Sequence, residues 1–501
     1  MEEKMKKFRE LLGEVADLQG ASAVLDWDQE TYMPPGGAQD RAMQLATLNR
    51  LAHSKLIDDE IGTLIEELKP EIEELDPDSD DVRLVLQIAR EYEKQRKVPN
   101  EWVADFSRTT SLALQNWKAA REASDFPKFL PDLERVVDLR RQYTEFFKPY
   151  DHIYDPLLDN YEPRMKTADV KQVFDDLRPI QVELIQAISE SSHPVDDSML
   201  YQDFDEQKQW DFGIEVIKAF GYDLDRGRQD KSAHPFTTSF GIGDVRITTR
   251  LRPDFLSTAL FGTLHEAGHG MYEQGVSPSL ARTLLADGAS LGVHESQSRM
   301  WENLVGRSRP FWVAFYPRLQ DYFPSQLGNV DLNDFYRAIN KVERSLIRVE
   351  ADEATYNLHI MLRFEIELGL MEGNLSAKDL PEIWSTKMDE YLGVTPPDDA
   401  DGVLQDIHWS IGIFGYFSTY SLGNLFSSML WDKINEDIPD LQAQIEHAKF
   451  DSLLAWLQEN IHVHGAKFEP VDLVKRVTGS ELTAEPYIKY LKDKFGEIYQ
   501  L

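Results

Sequence analysis

Apolar residues recur at three- and four-residue steps through most of the first 200 positions, the spacing that lines up one face of an α-helix. Met5, Phe8, Leu11, Leu12, Val15 and Leu18 form the first stripe, and similar stripes run through 41–75, 82–96, 100–121, 127–147 and 167–191. The interruptions are short and helix-terminating: Pro34-Pro35-Gly36-Gly37, Asp76-Pro77-Asp78-Ser79-Asp80-Asp81 and His193-Pro194-Val195-Asp196-Asp197. None has the length of an interdomain linker. The stretch from Leu25 to Pro34 packs aromatics and acids ahead of a turn, and reads as a helix end with capping carboxylates.

The period changes between 234 and 251. Phe236 to Phe240, a turn at Gly241-Ile242-Gly243, and the largely alternating Asp244 to Leu251 predict a β-hairpin. A strand beside a helix offers an edge along which an extended peptide can align. From 252 onward the pattern is helical again, broken near Pro310, Pro317, Pro324, the Thr395-Pro396-Pro397-Asp398-Asp399 loop and Gly465 to Pro470. The chain therefore reads as mainly α with one small β-sheet, organised as a single domain over 1–501.

With 501 residues and 42% hydrophobic positions, a substantial core can form. A net charge of −35 repels phosphate backbones and anionic lipid, so neither nucleic-acid nor membrane partners are expected. The absence of cysteine removes disulfides, thiolate ligands and cysteine nucleophiles, and fits a reducing compartment. No apolar run reaches the ~18 residues of a membrane span, and Met1 to Gln19 lacks the apolar core of a signal peptide. The expected location is cytoplasmic.

The chemistry concentrates at Leu264-His265-Glu266-Ala267-Gly268-His269-Gly270, which follows the apolar run from Phe255 to Leu264. Residues four apart on a helix share a face, so His265 and His269 can present two imidazoles to one divalent metal, with Glu266 beside it. This is the H-E-x-x-H arrangement of zinc peptidases, in which the metal acidifies a water and the glutamate accepts its proton. Two histidines leave the metal one protein ligand short. The motif extended by G-x-x-H is excluded, because Tyr272 and Gly275 occupy its glycine and third-histidine positions. Asp287, His294, Glu295 and Glu302, on or just ahead of a helix expected over 289–305, are the candidates for the third ligand. Spacing alone does not choose among them, although His294 and Glu295 point about 100° apart on a helix. A simpler role for Glu295 is an ion pair with Arg299, four residues on.

At this point the chain resembles the carboxypeptidase Taq family of zinc metallocarboxypeptidases. The resemblance rests on His265-Glu266-Ala267-Gly268-His269, His294-Glu295-Ser296-Gln297, the run from Ile347 to Asp352, and the run from Gly402 to Trp409. It extends to Asp244-Val245-Arg246-Ile247-Thr248, to Gly415-Tyr416-Phe417-Ser418-Thr419-Tyr420, and to Trp27-Asp28 with Met33-Pro34 and Gly36-Gly37. It implies a helical, saddle-like subunit with a deep groove, 1–200 forming a helical wall and 201–501 carrying the metal and substrate site. It also implies a homodimer, one Zn²⁺ per subunit with Glu295 as third ligand, and peptides as substrates. Co²⁺ or Mn²⁺ would suit the same donors.

Hydrolysis of a peptide needs donors for the oxyanion besides the metal. His408 and Tyr420, polar side chains in an otherwise apolar and aromatic stretch, are the candidates, and similar His and Tyr pairs serve helical zinc peptidases of related fold. Removing the last residue requires recognition of a free carboxylate, a task suited to guanidinium. Arg348 is favoured over Arg246, which sits on the strand and can instead orient the site; an ion pair to Asp352 is the ordinary structural role of Arg348. The expected activity is attack of zinc-activated water on the carboxy-terminal peptide bond with broad specificity, Glu266 serving as base. An oligopeptidase cutting internally and a non-catalytic helical binding protein are the alternatives.

Overall fold

The first apolar stripe folds as a helix over Glu2–Thr31, burying Met5, Phe8, Leu12 and Val15. In the computed structural model, which describes all 501 residues, most of the expected helices fall where the periodicity places them: Asp80–Lys97, Asn100–Ala123, Phe126–Glu145 and Thr167–Glu190. The stripe at 41–75 instead forms two helices, Ala38–Leu56 and Asp59–Ile72. Between them the Asp58 carboxylate accepts from Glu60 N–H at 2.8 Å and caps the second helix, a break that apolar spacing does not reveal. Asp28 belongs to the last turn of the first helix, where it pairs with Arg41 at 2.6 Å instead of capping an N-terminus.

The chain packs as two units, each assembled from three stretches. The first comprises Met1–Arg96, Asp196–Ile339 and Leu430–Gly479; the second comprises Lys97–Val195, Asn340–Met429 and Ser480–Leu501. The break predicted at 193–197 contains one of the crossings between them.

In the first unit, Phe8, Leu12 and Val15 pack with Leu68, Val85 and Ile88 and with Leu280 and Leu285 into one buried cluster. Each such fully buried side chain contributes about 1.5–3 kcal/mol of transfer free energy. The expected hairpin is present as β2 (Thr237–Ser239) antiparallel to β3 (Val245–Thr249), and β1 (Gly227–Lys231) adds a parallel strand on the other side of β3. The composition of β1, Gly-Arg-Gln-Asp-Lys, carries no alternation of apolar residues, so its strand is set by pairing rather than by pattern. The buried Val245, Ile247 and Thr249 alternate along β3, and Thr249 reaches the backbone of Ala259 in the helix Leu256–Gly275. That helix is the H-E-x-x-H helix, and the sheet lies against it.

The second unit is built around Tyr356–Glu372, a helix buried almost all round, as expected of a central element. Its apolar residues fill the core, while Arg363 and Glu367 are fully buried polar side chains that require partners. The carboxy-terminal helix Glu485–Tyr499 is fastened by Lys494, which pairs with Glu353 at 2.6 Å, each side chain 6% exposed. No helix in the chain is long and apolar enough to cross a membrane.

Candidate metal centre

A glycine decides how the metal-helix residues meet their partner. A Cβ at Gly268 would lie 2.7 Å from the Gln297 carbonyl oxygen and 2.7 Å from Ser298 Cα, so only glycine lets the helix Leu291–Arg299 pack this closely. That second helix starts at Ser290, whose hydroxyl accepts from Val293 N–H at 3.0 Å. It continues into a π-helical turn, Met300–Val305, the type of local widening often found at functional sites.

The close approach sets Glu295 Oε2 3.5 Å from His265 Nε2 and 3.4 Å from His269 Nε2. One ligand atom from each of the three residues lies within 4.8 Å of the others. Four ligands at about 2.1 Å around a tetrahedral cation stand about 3.4 Å apart, so both carboxylate–imidazole separations match those around a divalent metal. Of the four third-ligand candidates, Glu295 alone joins the two histidines in this group. The ion pair from Glu295 to Arg299 also forms, Nε to Oε1 at 2.7 Å, and it leaves Oε2 facing the imidazoles.

The outer nitrogens of both rings are engaged. His265 Nδ1 lies 2.9 Å from Glu302 Oε2, so in the neutral ring the proton belongs on Nδ1 and Nε2 is the nitrogen left for a metal. Arg299 bridges Glu295 and Glu302, with NH1 3.2 Å from Glu302 Oε2. His269 Nδ1 lies 2.6 Å from His294 Nδ1, and His294 Nε2 lies 2.7 Å from Glu273 Oε1. If His269 gives Nε2 to a metal, its Nδ1–H donates to His294, which must then carry its proton on Nε2 and donate to Glu273. His294 is therefore aligned by one ring nitrogen with His269, and Glu273 fixes the alignment.

Electrostatics favour a cation. Burial lowers the proton affinity of His265, but Glu295, Glu302 and Glu266 outweigh it and hold its pKa up at about 9. Burial dominates at His269, pushing it down to about 3. Glu302, despite burial, is held near 2 by Arg299 and His265. Burial raises Glu266. Its Oε2 accepts from the Thr237 hydroxyl at 2.7 Å, so the edge strand β2 orients the side chain next to the two imidazoles.

In the second unit, three further residues singled out in the sequence come together around Asp406. Arg348 is bound to Asp406 Oδ1 through Nε at 3.0 Å and NH2 at 2.8 Å, and to the Tyr356 hydroxyl through NH1 at 3.1 Å. Arg363 binds the other oxygen, Nε to Oδ2 at 2.6 Å. Two guanidiniums on one carboxylate leave one positive charge unmatched, and Arg348 keeps two N–H groups unengaged. Its guanidinium also faces the Tyr420 ring at 5.4 Å and the Phe417 ring at 5.6 Å. The Tyr420 hydroxyl donates to Tyr416 at 3.2 Å, and the His408 ring stacks on Tyr416 with centroids 5.4 Å apart. Burial lowers His408 to about 4, keeping it neutral near pH 7. Burial raises Tyr420, so its phenol retains its proton there.

The profile of the carboxypeptidase Taq (M32) metallopeptidase family matches residues 7–495. The chain belongs to this M32 family. It is a metallocarboxypeptidase, and family membership carries a divalent metal with it. The thermostable carboxypeptidase 1 of Thermus thermophilus is 43% identical over 495 residues, covering 97% of both chains. Carboxypeptidase 1 of Bacillus subtilis is 38% identical over 99% of both. Among solved structures, the M32 carboxypeptidase of Deinococcus radiodurans R1 superposes with a TM-score of 0.96 at 41% identity, covering 99% of this chain and 100% of that one. Metallocarboxypeptidase 1 of Trypanosoma cruzi does so with a TM-score of 0.93 at 32% identity, covering 99% and 100%.

Arg348 is not paired with Asp352, whose carboxylate instead accepts from the Glu343, Ala354 and Thr355 backbone N–H groups. Arg246 joins neither cluster. Alternation along the sheet explains this: Thr237 and Ile247 face the metal helix, so their neighbours Thr238 and Arg246 face away. Arg246 is bound twice by Asp244 at 2.8 Å and lies over the rings of Trp27 at 4.4 Å and Phe240 at 4.7 Å. The family motif around Trp27 is thus used to hold Arg246 and the hairpin. Glu273, Thr237, Asp406 and Arg363 escape sequence reasoning, because each is brought to its site by a contact distant in the chain.

Proposed function

We propose that this metallocarboxypeptidase uses one Zn²⁺ per subunit, held by His265, His269 and Glu295, to hydrolyse the carboxy-terminal peptide bond of peptides with broad specificity. The observation that carries the proposal is the convergence of those three donors beside the buried carboxylate of Glu266. Co²⁺ and Mn²⁺ suit the donors as well, and zinc is favoured by the nitrogen-rich, compact set. When bound, such a metal acidifies a water and polarises the scissile carbonyl.

The remaining steps belong to side chains. Glu266, its proton affinity raised by burial, accepts a proton from the attacking water and delivers it to the departing amine. His408 and Tyr420 supply hydrogen-bond donors to the oxyanion of the tetrahedral intermediate, Tyr420 through a hydroxyl that stays protonated and His408 as a neutral imidazole. Arg348 takes the substrate's free carboxylate, which would match the charge that Asp406 leaves uncompensated. Arg246 supports the hairpin rather than the substrate. The enzyme acts as a cytoplasmic homodimer on peptides.

The reading is tested by digesting amino-blocked peptides with either a free or an amidated carboxyl end, with the metal-loaded and chelator-stripped enzyme, and following products by mass spectrometry. Stepwise loss of single residues from the free-acid peptide, restored by Zn²⁺ after stripping, is expected. Internal cleavage of both peptides at similar rates would replace it with an oligopeptidase.

A further inference from the structure

Glu273, Asp287 and His294 form a second group of potential metal ligands, with one ligand atom from each within 4.8 Å of the others. Its construction differs from that of the first. The carboxylates of Glu295 and Glu302 share Arg299, whereas neither Glu273 nor Asp287 pairs with any lysine or arginine. Glu273 is buried and meets only the His294 imidazole, and Asp287 accepts only from the Gly288 N–H at 2.7 Å. Two carboxylates thus converge on one imidazole with no lysine or arginine beside them, although each raises the cost of ionising the other. Gly288 makes room for the arrangement: a Cβ there would lie 2.7 Å from His294 Cδ2.

We propose that Glu273, Asp287 and His294 bind a second divalent cation, and that its binding opposes binding at His265, His269 and Glu295. The donor set, one imidazole nitrogen and two carboxylates, selects a transition-metal dication over calcium. Opposition follows from the placement of protons along His269, His294 and Glu273. With a metal on His269 Nε2, His294 must accept at Nδ1 and carry its own proton on Nε2. A cation on His294 Nε2 displaces that proton to Nδ1 of the neutral ring. Two N–H groups then face each other across the 2.6 Å between His269 Nδ1 and His294 Nδ1, and one ring must turn away. The coupling is reciprocal, so each cation weakens the other by the same factor. The second site is therefore a brake that excess metal applies to the enzyme.

The opposition rests on the assignment of the first site, and the test separates the two. Equilibrium dialysis of the full chain against buffered free Zn²⁺ should show two bound ions, one tight and one weak. Asp287→Asn and Asp287→Ser should each retain one tight ion and unchanged activity at one equivalent of Zn²⁺; Asp287 is exposed, and two substitutions guard against a misfolded variant. Glu295→Ala should lose the tight ion and bind the remaining one about tenfold more tightly than the native enzyme binds its weak ion, within the usual range for coupled sites. Uptake of a single ion by the native enzyme, or of two by both Asp287 variants, would overturn the second site. Equal weak-site affinity in the native enzyme and Glu295→Ala would overturn the opposition. Loss of no ion in Glu295→Ala, with Asp287→Asn still losing one, would leave the second site standing and overturn the first.

Discussion

Glu302 Oε2 lies 2.9 Å from His265 Nδ1, and the same oxygen receives Arg299 NH1 at 3.2 Å. A carboxylate so placed holds the ring in the tautomer that offers Nε2 to a metal and strengthens it as a donor. Removing it leaves His265, His269 and Glu295 in place but the His265 ring free to rotate.

Glu302→Ala should therefore lower metal affinity about 10–100-fold, while Glu302→Gln, which still accepts from Nδ1–H, should lose less. Competition with a chromophoric chelator measures both. Equal losses in the two variants would show that charge rather than orientation is what Glu302 supplies, and no loss in either would remove it from the centre.

Tyr420→Phe should reduce kcat far more than it raises KM, because a donor to the oxyanion acts in the transition state. Steady-state kinetics on a free-acid dipeptide derivative separates the parameters. A rise in KM with kcat preserved would assign Tyr420 to ground-state binding.

Arg348→Ala should cost about 2–5 kcal/mol in kcat/KM on free-acid peptides, the range for removing one partner of a buried charge pair. Asp406 would still be held by Arg363, so the fold around it is kept. Amidated peptides, already poor substrates, should be little affected, and the losses from mutation and amidation should not add. Comparable loss on both peptides would make Arg348 a structural partner of Asp406.

Glu367 predicts a pH dependence of stability. Burial raises its pKa to about 7 against the opposing hydrogen bonds from Gly415 N–H, Tyr154 and Trp409. Because the folded value exceeds the unfolded value of 4.5, the protonated carboxyl contributes stability that is fully present below about pH 4.5 and is lost as pH rises through about 7. The loss is on the order of 3 kcal/mol. Glu367→Gln cannot ionise and should lack this component. Urea unfolding at several pH values should show the native and variant profiles diverging between about pH 4.5 and 7; parallel profiles would contradict the assignment.

The sequence exposes what is local and periodic. His265, Glu266 and His269 are readable because helix geometry converts a spacing of four into a shared face, and Glu295, Arg299 and Glu302 lie on one stripe for the same reason. Glu295 could not be chosen as third ligand by spacing, since the choice depends on how closely the helices approach at Gly268. The hairpin was legible in its alternation, while β1 was not, being polar throughout. Arg246 shows the limit from the other side: its motif is recognisable, yet the parity of the strand turns it toward Trp27 and away from Glu266. Arg348, His408 and Tyr420 share surroundings through Asp406 and Phe417, contacts for which the chain carries no periodic mark.

The most direct measurement is metal retention across four variants, each loaded with one equivalent of Zn²⁺ and titrated with a chelator. His265→Ala, His269→Ala and Glu295→Ala should each release the ion at far lower chelator concentration than the native enzyme. Glu266→Gln should hold it as the native enzyme does while losing at least ~10²-fold in turnover, as expected for a base that is not a ligand. Retention of zinc by Glu295→Ala, or its loss from Glu266→Gln with activity restored by added metal, would contradict the assignment of the centre.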